Sequence, residues 1–408
     1  MRKVEFLYMS FCRLMAAILP AKKCVLFCSF YGKYSDNPRY ISNELSLSYP
    51  DMKQIWVVSD KQGNQVPEIF GKVLYGSFHY YWLLFLSEVV VDNSSGLRTF
   101  ISCTPGTLQF KVCNWIAKKR RSQYNISTWH GTPLKKIGVD ALDYDEKKAF
   151  ISNADYSIAG CEHTYSLIKS AFRNSFKVFK TGTPRNDILC KKNADVINIK
   201  KKLRLPLDKK IILFAPTFRK DSDFGGLKQL NTINYELLLN NLNMRFGGDW
   251  CFVFRVHSCV QNVIEKQNIS EKFKRFGLVD GNLGDDMAEY LYCSDILLTD
   301  YSSSMFDYLL MERPCFLYTP DLFEYINSER GVYMSVDTLP FPYVIKLDDL
   351  YETILNFDKE GYIDKVHAYK KKIGNFEDGN ASKRISDDII EFLKNKTKFT
   401  LNTVECKL

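Results

Sequence analysis

Short apolar runs alternate with longer stretches of helical periodicity along almost the whole chain. A first series of runs reads as strands, at Cys24–Phe30, Ile55–Val58, Val89–Val91, Ile126–Trp129, Tyr156–Ala159 and Lys177–Phe179. A second series lies at Ile211–Ala215, Trp250–Val256, Ile296–Leu298 and Cys315–Tyr318. Helical patterns lie between the runs, as at Tyr40–Ser48, Tyr235–Leu242 and Met305–Met311. Alternation of this kind predicts parallel sheets covered by helices on both faces. The two series therefore predict an α/β protein with two doubly wound, Rossmann-type domains.

The domain boundaries follow from the same pattern. The polar stretch Lys191–Lys202 separates the two series and is the predicted linker. We expect an N-terminal domain over residues 21–195 and a C-terminal domain over residues 203–375. A C-terminal helix and tail over residues 376–408 would complete the chain.

The first 20 residues carry an amphipathic helical pattern. One helical face is apolar and is formed by Leu7, Phe11, Leu14 and Ile18. The uninterrupted apolar stretch is too short to span a bilayer. The helix therefore either lies in a membrane interface or packs on the domain, and both interpretations stay open. The segment Tyr80–Leu86 is a second aromatic candidate for membrane contact, although a core helix is the favoured interpretation.

Composition and charge narrow the class of protein. With 46% hydrophobic and 25% charged residues among 408, the chain is typical of a globular protein and not of a disordered or collagenous one. The net charge of +9 fits an anionic partner: a phosphorylated substrate, an acidic membrane surface or nucleic acid. The basic run Lys118–Arg121 is either part of such a surface or a solvated helix end.

Several familiar motifs are absent from the sequence. The twelve cysteines form no CxxC pair, which indicates a reducing cytosol without disulfides. There is no GxxxxGK[ST], GxGxxG or HExxH motif. Short DxD tripeptides at residues 143–145 and 221–223 do not directly follow an apolar strand. We therefore expect no metal site.

Polar clusters containing glycine or proline follow the carboxyl ends of nearly all predicted strands. The N-terminal series is followed by YGKYSDNPRY, DNSSG, HGTP and TPRND, and the C-terminal series by PTFRK, FRVH and TDYSSS. This edge of an open α/β sheet is where ligands bind. Two such domains facing each other would form a deep interdomain cleft.

His130 is the first candidate for chemistry, because an imidazole of near-neutral pKa can take a proton from an attacking hydroxyl. Gly131 and Pro133 would fix its turn, and Lys135 and Lys136 would favour an anionic ligand. The alternative is an ordinary loop histidine bonded to backbone. The dense Trp-His-Gly-Thr-Pro context favours function.

The C-terminal half offers a second group of candidates. Arg255 and His257 share one face of a strand end and suit a phosphate, unless they form only a surface salt bridge. The serines after Thr299 can cap a helix, and the same helix start can also bind phosphate. Arg219 and Arg185, each unremarkable alone, would line the cleft from both domains.

Taken together, these residues resemble the CDP-glycerol glycerophosphotransferase family, the teichoic acid primases and polymerases of bacterial cell envelopes. The resemblance runs from about Phe30 to about Ile390. It is carried by YSDNPRYISNEL, TWHGTPLKKIG, GTPRND, FAPTFRK, FRVH, TDYSSSMFDYLLMERPCFLYTPDLFEY and FEDGNASKRI. It implies a GT-B-like pair of Rossmann domains and transfer of a polyol phosphate from a CDP-polyol.

The resemblance also implies roles for individual residues. His130 would be the general base, and His257 would contact the donor pyrophosphate. The side chains expected to hold or shape that donor site are Arg219, Arg255, Thr299, Ser302, Ser303, Asp307 and Arg313. Independently of the resemblance, four residues in the clusters after the N-terminal strands are expected toward the acceptor or cleft: Gly131, Lys135, Arg185 and Asn186.

The expected reaction transfers glycerol phosphate or ribitol phosphate from CDP-glycerol or CDP-ribitol to a lipid-linked acceptor, releasing CMP, in teichoic acid or capsule synthesis. Fixed cationic groups would replace Mg²⁺, so no cofactor is expected. The enzyme would sit on the cytoplasmic face of the membrane as a peripheral protein attracted to anionic lipid, with no nucleic acid partner. Family polymerases often carry further N-terminal domains, which puts long-chain polymerisation in doubt for this chain. A primase and a capsule-type transferase are both open as interpretations. A nucleotide-sugar glycosyltransferase and a non-catalytic binder of anionic lipid or nucleic acid are the alternatives.

Overall fold

The computed structural model describes residues 3–59, 63, 65–94, 106–145, 153–191, 194–217, 230, 232–255, 277–282, 286–328 and 331–395. The chain divides into two compact units. The N-terminal unit comprises residues 1–131, 137–187 and 375–408, and the C-terminal unit comprises residues 132–136 and 188–374.

The N-terminal unit is built on a seven-stranded parallel sheet in the order β3-β2-β1-β4-β5-β6-β7. Its strands are β1 (Lys22–Cys28), β2 (Gln54–Val58), β3 (Gly71–Leu74), β4 (Ser87–Asp92), β5 (Tyr124–Ser127), β6 (Tyr156–Ile158) and β7 (Lys177–Phe179). Apolar side chains on both faces of the central strands are buried, as expected for a sheet covered on both sides.

The helices of this unit are α1 (Lys3–Ile18), α2 (Asp36–Ser48), α3 (Phe78–Leu86), α4 (Leu108–Ala117) and α5 (Glu162–Ala171). Short 3₁₀ turns lie at Gly138–Asp140 and Pro184–Asn186, and the short helix α6 (Asp187–Cys190) begins at the last residue of this part of the unit and continues into the C-terminal unit. Tyr80–Leu86 lies in α3, and six side chains of that helix are buried, so the core interpretation of this segment is confirmed.

The C-terminal unit has a six-stranded parallel sheet in the order β10-β9-β8-β11-β12-β13. Its strands are β8 (Lys210–Phe214), β9 (Trp250–Phe254), β10 (Val279–Asp280), β11 (Ile296–Thr299), β12 (Cys315–Tyr318) and β13 (Tyr343–Val344). Its helices are α7 (Val196–Lys202), α8 (Tyr235–Phe246), α9 (Met287–Cys293), α10 (Ser304–Tyr308), α11 (Leu322–Ser328), α12 (Leu347–Leu355) and α13 (Lys359–Lys372), with 3₁₀ turns at Leu309–Met311 and Val336–Thr338.

Both sheets reverse their strand order at one point. The reversal lies between β1 and β4 in the N-terminal unit and between β8 and β11 in the C-terminal unit. In a doubly wound sheet, the crevice beyond the carboxyl ends of these two strands is the preferred ligand site. The prediction of two doubly wound Rossmann-type domains is therefore confirmed, and each unit has one such crevice.

The last helix, α14 (Ala381–Asn395), belongs to the N-terminal unit and not to a separate tail. Asp187 accepts hydrogen bonds from the Ala381 and Ser382 amides at 3.0 and 2.8 Å and so caps its start. Farther along, both Tyr124 and Tyr156 donate to Asp388, at 2.8 and 2.9 Å. These contacts attach the end of the chain to the first sheet.

The division of the chain thus differs from the predicted boundaries in two places. The N-terminal unit ends at residue 187 and resumes at residue 375, and residues 132–136 belong to the C-terminal unit. In that segment Lys135 forms an antiparallel bridge with Val332. Composition could not show either feature, because both depend on contacts between residues that are distant in sequence.

Helix α1 bears out one interpretation of its pattern, packing on the domain, and its contact with a membrane interface stays a prediction. It packs on the domain through Met9, Cys12 and Ala16, which are buried. The predicted apolar face points outward instead, with exposed fractions of 65% for Leu7, 48% for Phe11, 54% for Leu14 and 78% for Ile18. Within the described residues, no helix is both long and apolar enough to cross a membrane.

Candidate functional site

The crevice of the N-terminal unit is organised around Asn93, which follows β4. Its side-chain amide donates to Ser29 Oγ and to Asp36 Oδ2, each at 3.0 Å. Its Oδ1 accepts from the Phe30 amide at 3.1 Å, across the strand reversal. Asn93, Ser29 and Asp36 are all buried. The side chain of Asn93 is therefore held from three directions.

His130 lies in this crevice, three residues after the end of β5. Its Nδ1 donates to the Asn93 carbonyl oxygen at 3.0 Å. A carbonyl can only accept, so in the neutral imidazole Nδ1 carries the proton and Nε2 carries the lone pair. The ring also stacks on Trp129, with 4.4 Å between centroids, and meets the edge of Phe30 at 5.9 Å. His130 thus presents Nε2 as its proton acceptor.

The turn around His130 needs unusual backbone angles. Trp129 has a φ of 52° and Gly131 a φ of 119°. The first is left-handed and uncommon for a residue with a side chain, and the second suits glycine. Asn37 holds this turn, because its side-chain amide donates to the Thr128 carbonyl at 3.3 Å and the Trp129 carbonyl at 3.0 Å.

Charge near the ring tunes its basicity. Burial lowers the pKa of His130 below its ordinary value, whereas the bond to the Asn93 carbonyl and the negative charge of Asp36 raise it, and Arg185 lowers it. The net direction is downward. His130 is therefore uncharged at neutral pH, which is the form that can accept a proton.

Arg185 lies against Asp36, with its Nη1 3.3 Å from both carboxylate oxygens. Its backbone amide donates to Asn37 Oδ1 at 3.0 Å, and its side chain is 12% exposed. The structure thus brings Arg185 to the His130 crevice, but as part of a buried ion pair and not as an open side chain lining a cleft.

Asn186, the next predicted residue, contacts a carboxyl group that sequence reasoning did not single out. Its Nδ2 donates to Glu377 Oε1 at 3.1 Å, and the Thr183 amide donates to Oε2 at 2.8 Å. Burial raises the pKa of Glu377 to about 8, although the bonds from Thr183 and Asn186 oppose this. Gly160 makes room for the carboxyl, since a Cβ there would lie 2.0 Å from Oε1.

The crevice of the C-terminal unit is organised around Asp300, which follows β11. Its Oδ1 accepts from the amide and hydroxyl of Thr217 at 2.8 and 2.6 Å, and from the Tyr301 amide at 2.6 Å. Thr299 is fully buried and donates its hydroxyl to the Ala215 carbonyl at 2.6 Å. The Thr299 side chain therefore joins the two central strands, and the expectation that Thr299 helps to hold the donor stays a prediction.

Ser302 and Ser303 lie beyond this strand end and are partly exposed. Ser302 Oγ is 2.9 Å from Ser304 Oγ. Ser303 is the residue before α10 but makes no side-chain capping bond, so the expected cap is wrong for it. Asp307 is buried within α10.

Two predicted cations of this unit are held by aromatic rings. Arg255 donates to the Gly281 carbonyl at 2.6 Å, and its guanidinium lies 4.6 Å from the centroid of Tyr290. The ammonium of Lys135 lies 4.6 Å from the centroid of Tyr325. Arg255 follows β9 and so stays at the carboxyl edge, as predicted.

Arg313 lies at the other edge of the sheet. Its Nη1 donates to the carbonyls of Tyr292 and Ser294 at 2.8 and 2.5 Å, before the start of β11. Arg313 itself precedes β12, so it stands at the amino ends of both strands. Its guanidinium therefore lies at the amino edge of the sheet and not at the carboxyl edge, where the polar clusters follow the strands, and the expectation that it shapes the donor pocket stays a prediction.

Two predicted site residues, Arg219 and His257, lie outside the described residues. In the part of the chain that is described, no three or more His, Cys, Asp or Glu side chains gather as metal ligands would.

Comparison with known proteins agrees with this architecture. Residues 11–391 match the family model of CDP-glycerol:poly(glycerophosphate) glycerophosphotransferase. The chain is 28% identical to the wall teichoic acid polymerase TagF in a structure soaked with CDPG, with a TM-score of 0.77 over 96% of this chain and 94% of that one.

Two curated relatives extend the comparison. The chain is 31% identical to a teichoic acid glycerol-phosphate transferase of Staphylococcus aureus, covering 91% of this chain and 94% of the relative. It is also 31% identical to a teichoic acid poly(glycerol phosphate) polymerase of Staphylococcus epidermidis, covering 91% of this chain. The chain spans about half the length of that polymerase, 51% of it.

Proposed function

Because the chain belongs to the CDP-glycerol:poly(glycerophosphate) glycerophosphotransferase family, we propose that it transfers glycerol phosphate from CDP-glycerol to a hydroxyl of a membrane-linked acceptor, releasing CMP. CDP-ribitol is the alternative donor. One observation carries the proposal: His130 sits at the strand reversal of a doubly wound sheet with Nδ1 bonded to the Asn93 carbonyl, which leaves Nε2 as the proton acceptor.

The proposed step is a single phosphoryl transfer. The acceptor oxygen forms a bond to the β-phosphorus of the donor, and the bond from that phosphorus to the oxygen of CMP breaks. Nε2 of His130 takes the proton of the attacking hydroxyl, and CMP leaves as an anion. An uncharged imidazole suits this role, and general-base catalysis contributes about 10²–10⁴ in rate.

We assign donor binding to the carboxyl edge of the C-terminal sheet. The partly exposed hydroxyls of Ser302 and Ser303 and the cation of Arg255 support this assignment, because they are phosphate-binding groups at that edge. Arg219 and His257 complete the proposed set. Positioning and electrostatic stabilisation would supply most of the remaining acceleration.

Attachment to the cytoplasmic face of the membrane is part of the proposal. Support comes from the exposed apolar face of α1, together with Phe78, whose ring centroid is 5.9 Å from that of Phe11. Arg120 donates to the Leu19 carbonyl at 2.9 Å, which keeps the basic run Lys118–Arg121 beside the end of α1. An apolar helix face next to basic residues binds anionic lipid interfaces, each basic residue adding roughly 1 kcal/mol.

A donor panel tests the reaction. The protein is incubated with a lipid-linked acceptor and CDP-glycerol, CDP-ribitol, a UDP-sugar or a GDP-sugar in turn, and nucleotide release is measured. We expect CMP release from a CDP-polyol alone. Release of UDP or GDP would instead identify a glycosyltransferase, and no turnover with any donor would favour a non-catalytic binding protein.

Vesicle sedimentation tests the membrane surface. Leu14→Glu should weaken binding to anionic vesicles, whereas Leu47→Glu is the matched control because Leu47 is an 81% exposed leucine on α2. High salt should release the parent protein at least in part, since charge attraction is screened. Equal binding by both variants and the parent would show that α1 is not the contact.

A further inference from the structure

Asp36, Asn37 and Asn93 lie behind His130 and have no role in the reaction described above. None was among the predicted site residues, although Asp36 and Asn37 lie in SDNPRY and Asn93 directly follows β4. Asp36 is 6% exposed, and Asn37 and Asn93 are fully buried. Asp36 also adopts a φ of 59°, in the left-handed region. Buried polar side chains in an uncommon backbone conformation indicate a constraint that the fold maintains.

The three residues act on His130 at two points. Asn37 holds the backbone before it, through the carbonyls of Thr128 and Trp129. Asn93 holds the ring, through its own carbonyl oxygen 3.0 Å from Nδ1. Asn93 cannot move freely, because its amide is anchored on Asp36 and Ser29.

Asp36 connects these points to a cation. Its carboxylate accepts from the Asn37 amide at 2.6 Å, from Asn93 Nδ2 at 3.0 Å and from Arg185 Nη1 at 3.3 Å. Both members of the ion pair are largely buried, at 5% and 12% exposure. Charges in such a setting are weakly screened, so each acts on the neighbouring imidazole.

We propose that Asp36, Asn37 and Asn93 are positioning residues for the transfer reaction, and that the Asp36–Arg185 ion pair sets the basicity of His130. They hold the imidazole in the tautomer that presents Nε2 and fix the backbone turn that aims it. This inference rests on the proposed function only for its catalytic consequence. The placement and titration of His130 can be measured without substrate.

The charges that face His130 make opposite contributions. Asp36, on α2, raises the pKa of His130, and Arg185, after β7, lowers it. The Asn93 carbonyl, after β4, also raises it, and the remaining neighbours Phe30 and Trp129 are uncharged rings. Removing Asp36 and removing Arg185 should therefore shift the titration of His130 in opposite directions.

The test is an NMR titration of the full chain labelled with ¹³C and ¹⁵N histidine. With five histidines in the sequence, the His130 signal is assigned by its loss in His130→Gln. Asp36→Asn should lower the pKa of His130, Arg185→Gln should raise it, and the double variant should return it toward the parent value. The ¹⁵N chemical shifts of His130 should report a protonated Nδ1 in the parent. In Asn93→Ala they should report a mixture of tautomers, because the side-chain bonds that hold the residue 93 carbonyl in place are removed.

Kinetics supply the second reading. In Asp36→Asn and Arg185→Gln, the acidic limb of the pH profile of kcat/KM should move with the pKa of His130 measured by NMR. Asn37→Ala should lower kcat by about 10²-fold, because a small displacement of a catalytic group has an effect of that size. Glu162→Gln is the matched control, because it breaks the Lys180–Glu162 ion pair of the same unit at 2.5 Å. Glu162→Gln should change neither the pKa of His130 nor kcat.

The proposal is overturned if the pKa of His130 shifts in the same direction in Asp36→Asn and Arg185→Gln, or if it shifts in neither. If a single variant does not fold, the double variant and Asn37→Ala still test it, since an unchanged kcat in Asn37→Ala contradicts positioning. If the parent releases no CMP, the proposed function fails, and the NMR shifts still decide whether the ion pair sets the basicity of His130.

Discussion

Glu377→Gln should make the stability of the N-terminal unit less dependent on pH. Burial raises the pKa of Glu377 from 4.5 to about 8 in the folded chain. Between these values the folded state binds one proton more than the unfolded state, so stability falls as pH rises. Glutamine cannot ionise, and its side chain can still accept the Thr183 amide, which donates to Glu377 Oε2 at 2.8 Å.

The size of the effect follows from the two pKa values. A difference between about 8 and 4.5 is worth roughly 5 kcal/mol at about 1.4 kcal/mol per pKa unit. Between pH 5 and pH 8 the parent should therefore lose roughly 3.5 kcal/mol relative to Glu377→Gln. Ionisation at high pH would place a negative charge beside the loop that carries Arg185, because Asn186 also bonds to this carboxyl.

Urea unfolding at pH 5, 6, 7 and 8 measures this difference. Tryptophan fluorescence reports mainly the N-terminal unit, which contains Trp56, Trp82, Trp115 and Trp129, whereas the C-terminal unit contains Trp250. Glu68→Gln is the matched control, because it makes the same change at an exposed position of the same unit. A free-energy difference between parent and Glu377→Gln that stays constant from pH 5 to pH 8 would refute the reasoning.

Two further predictions concern the same unit. Gly160→Ala should destabilise the N-terminal unit by about 1–3 kcal/mol or more, because the new Cβ would lie 2.0 Å from Glu377 Oε1. Gly63→Ala is the control and should be neutral in the same urea titration, because no atom lies within 4 Å of its new Cβ. Tyr156→Phe should cost about 1.5–3 kcal/mol at pH 8, since it removes a donor from the buried Asp388 carboxylate. That cost should shrink at pH 5, because burial raises the pKa of Asp388 to about 6; an equal cost at both pH values would contradict it.

The sequence predicted most strands because their apolar runs are buried, as in Cys315–Tyr318, which matches the observed strand residue for residue. The edge strand β7 also matches at Lys177–Phe179, although only its central residue is buried. The other edge strands, β3, β10 and β13, were missed; they are two to four residues long and mostly not buried. An edge strand of this kind has too little apolar sequence to be distinguished from a loop.

The sequence predicted the central residue of the candidate site, His130, but not the contacts that support it. His130 was identified by its position after a strand and by its neighbours in sequence. Its partner Asn93 lies 37 residues away and acts through a backbone carbonyl, which no side-chain pattern can show. Arg313 was assigned to the donor pocket through the family motif, which does not show that its guanidinium bonds to carbonyls at the amino end of β11.

The most direct test of the central claim is the rate of CMP release from CDP-glycerol by the parent and by His130→Gln, with a lipid-linked acceptor. Circular dichroism and donor affinity by calorimetry would confirm that the variant is folded and binds CDP-glycerol. We predict that the parent turns over and that the variant is slower by about 10²–10⁴. A folded, donor-binding His130→Gln that releases CMP at nearly the parent rate would contradict the account.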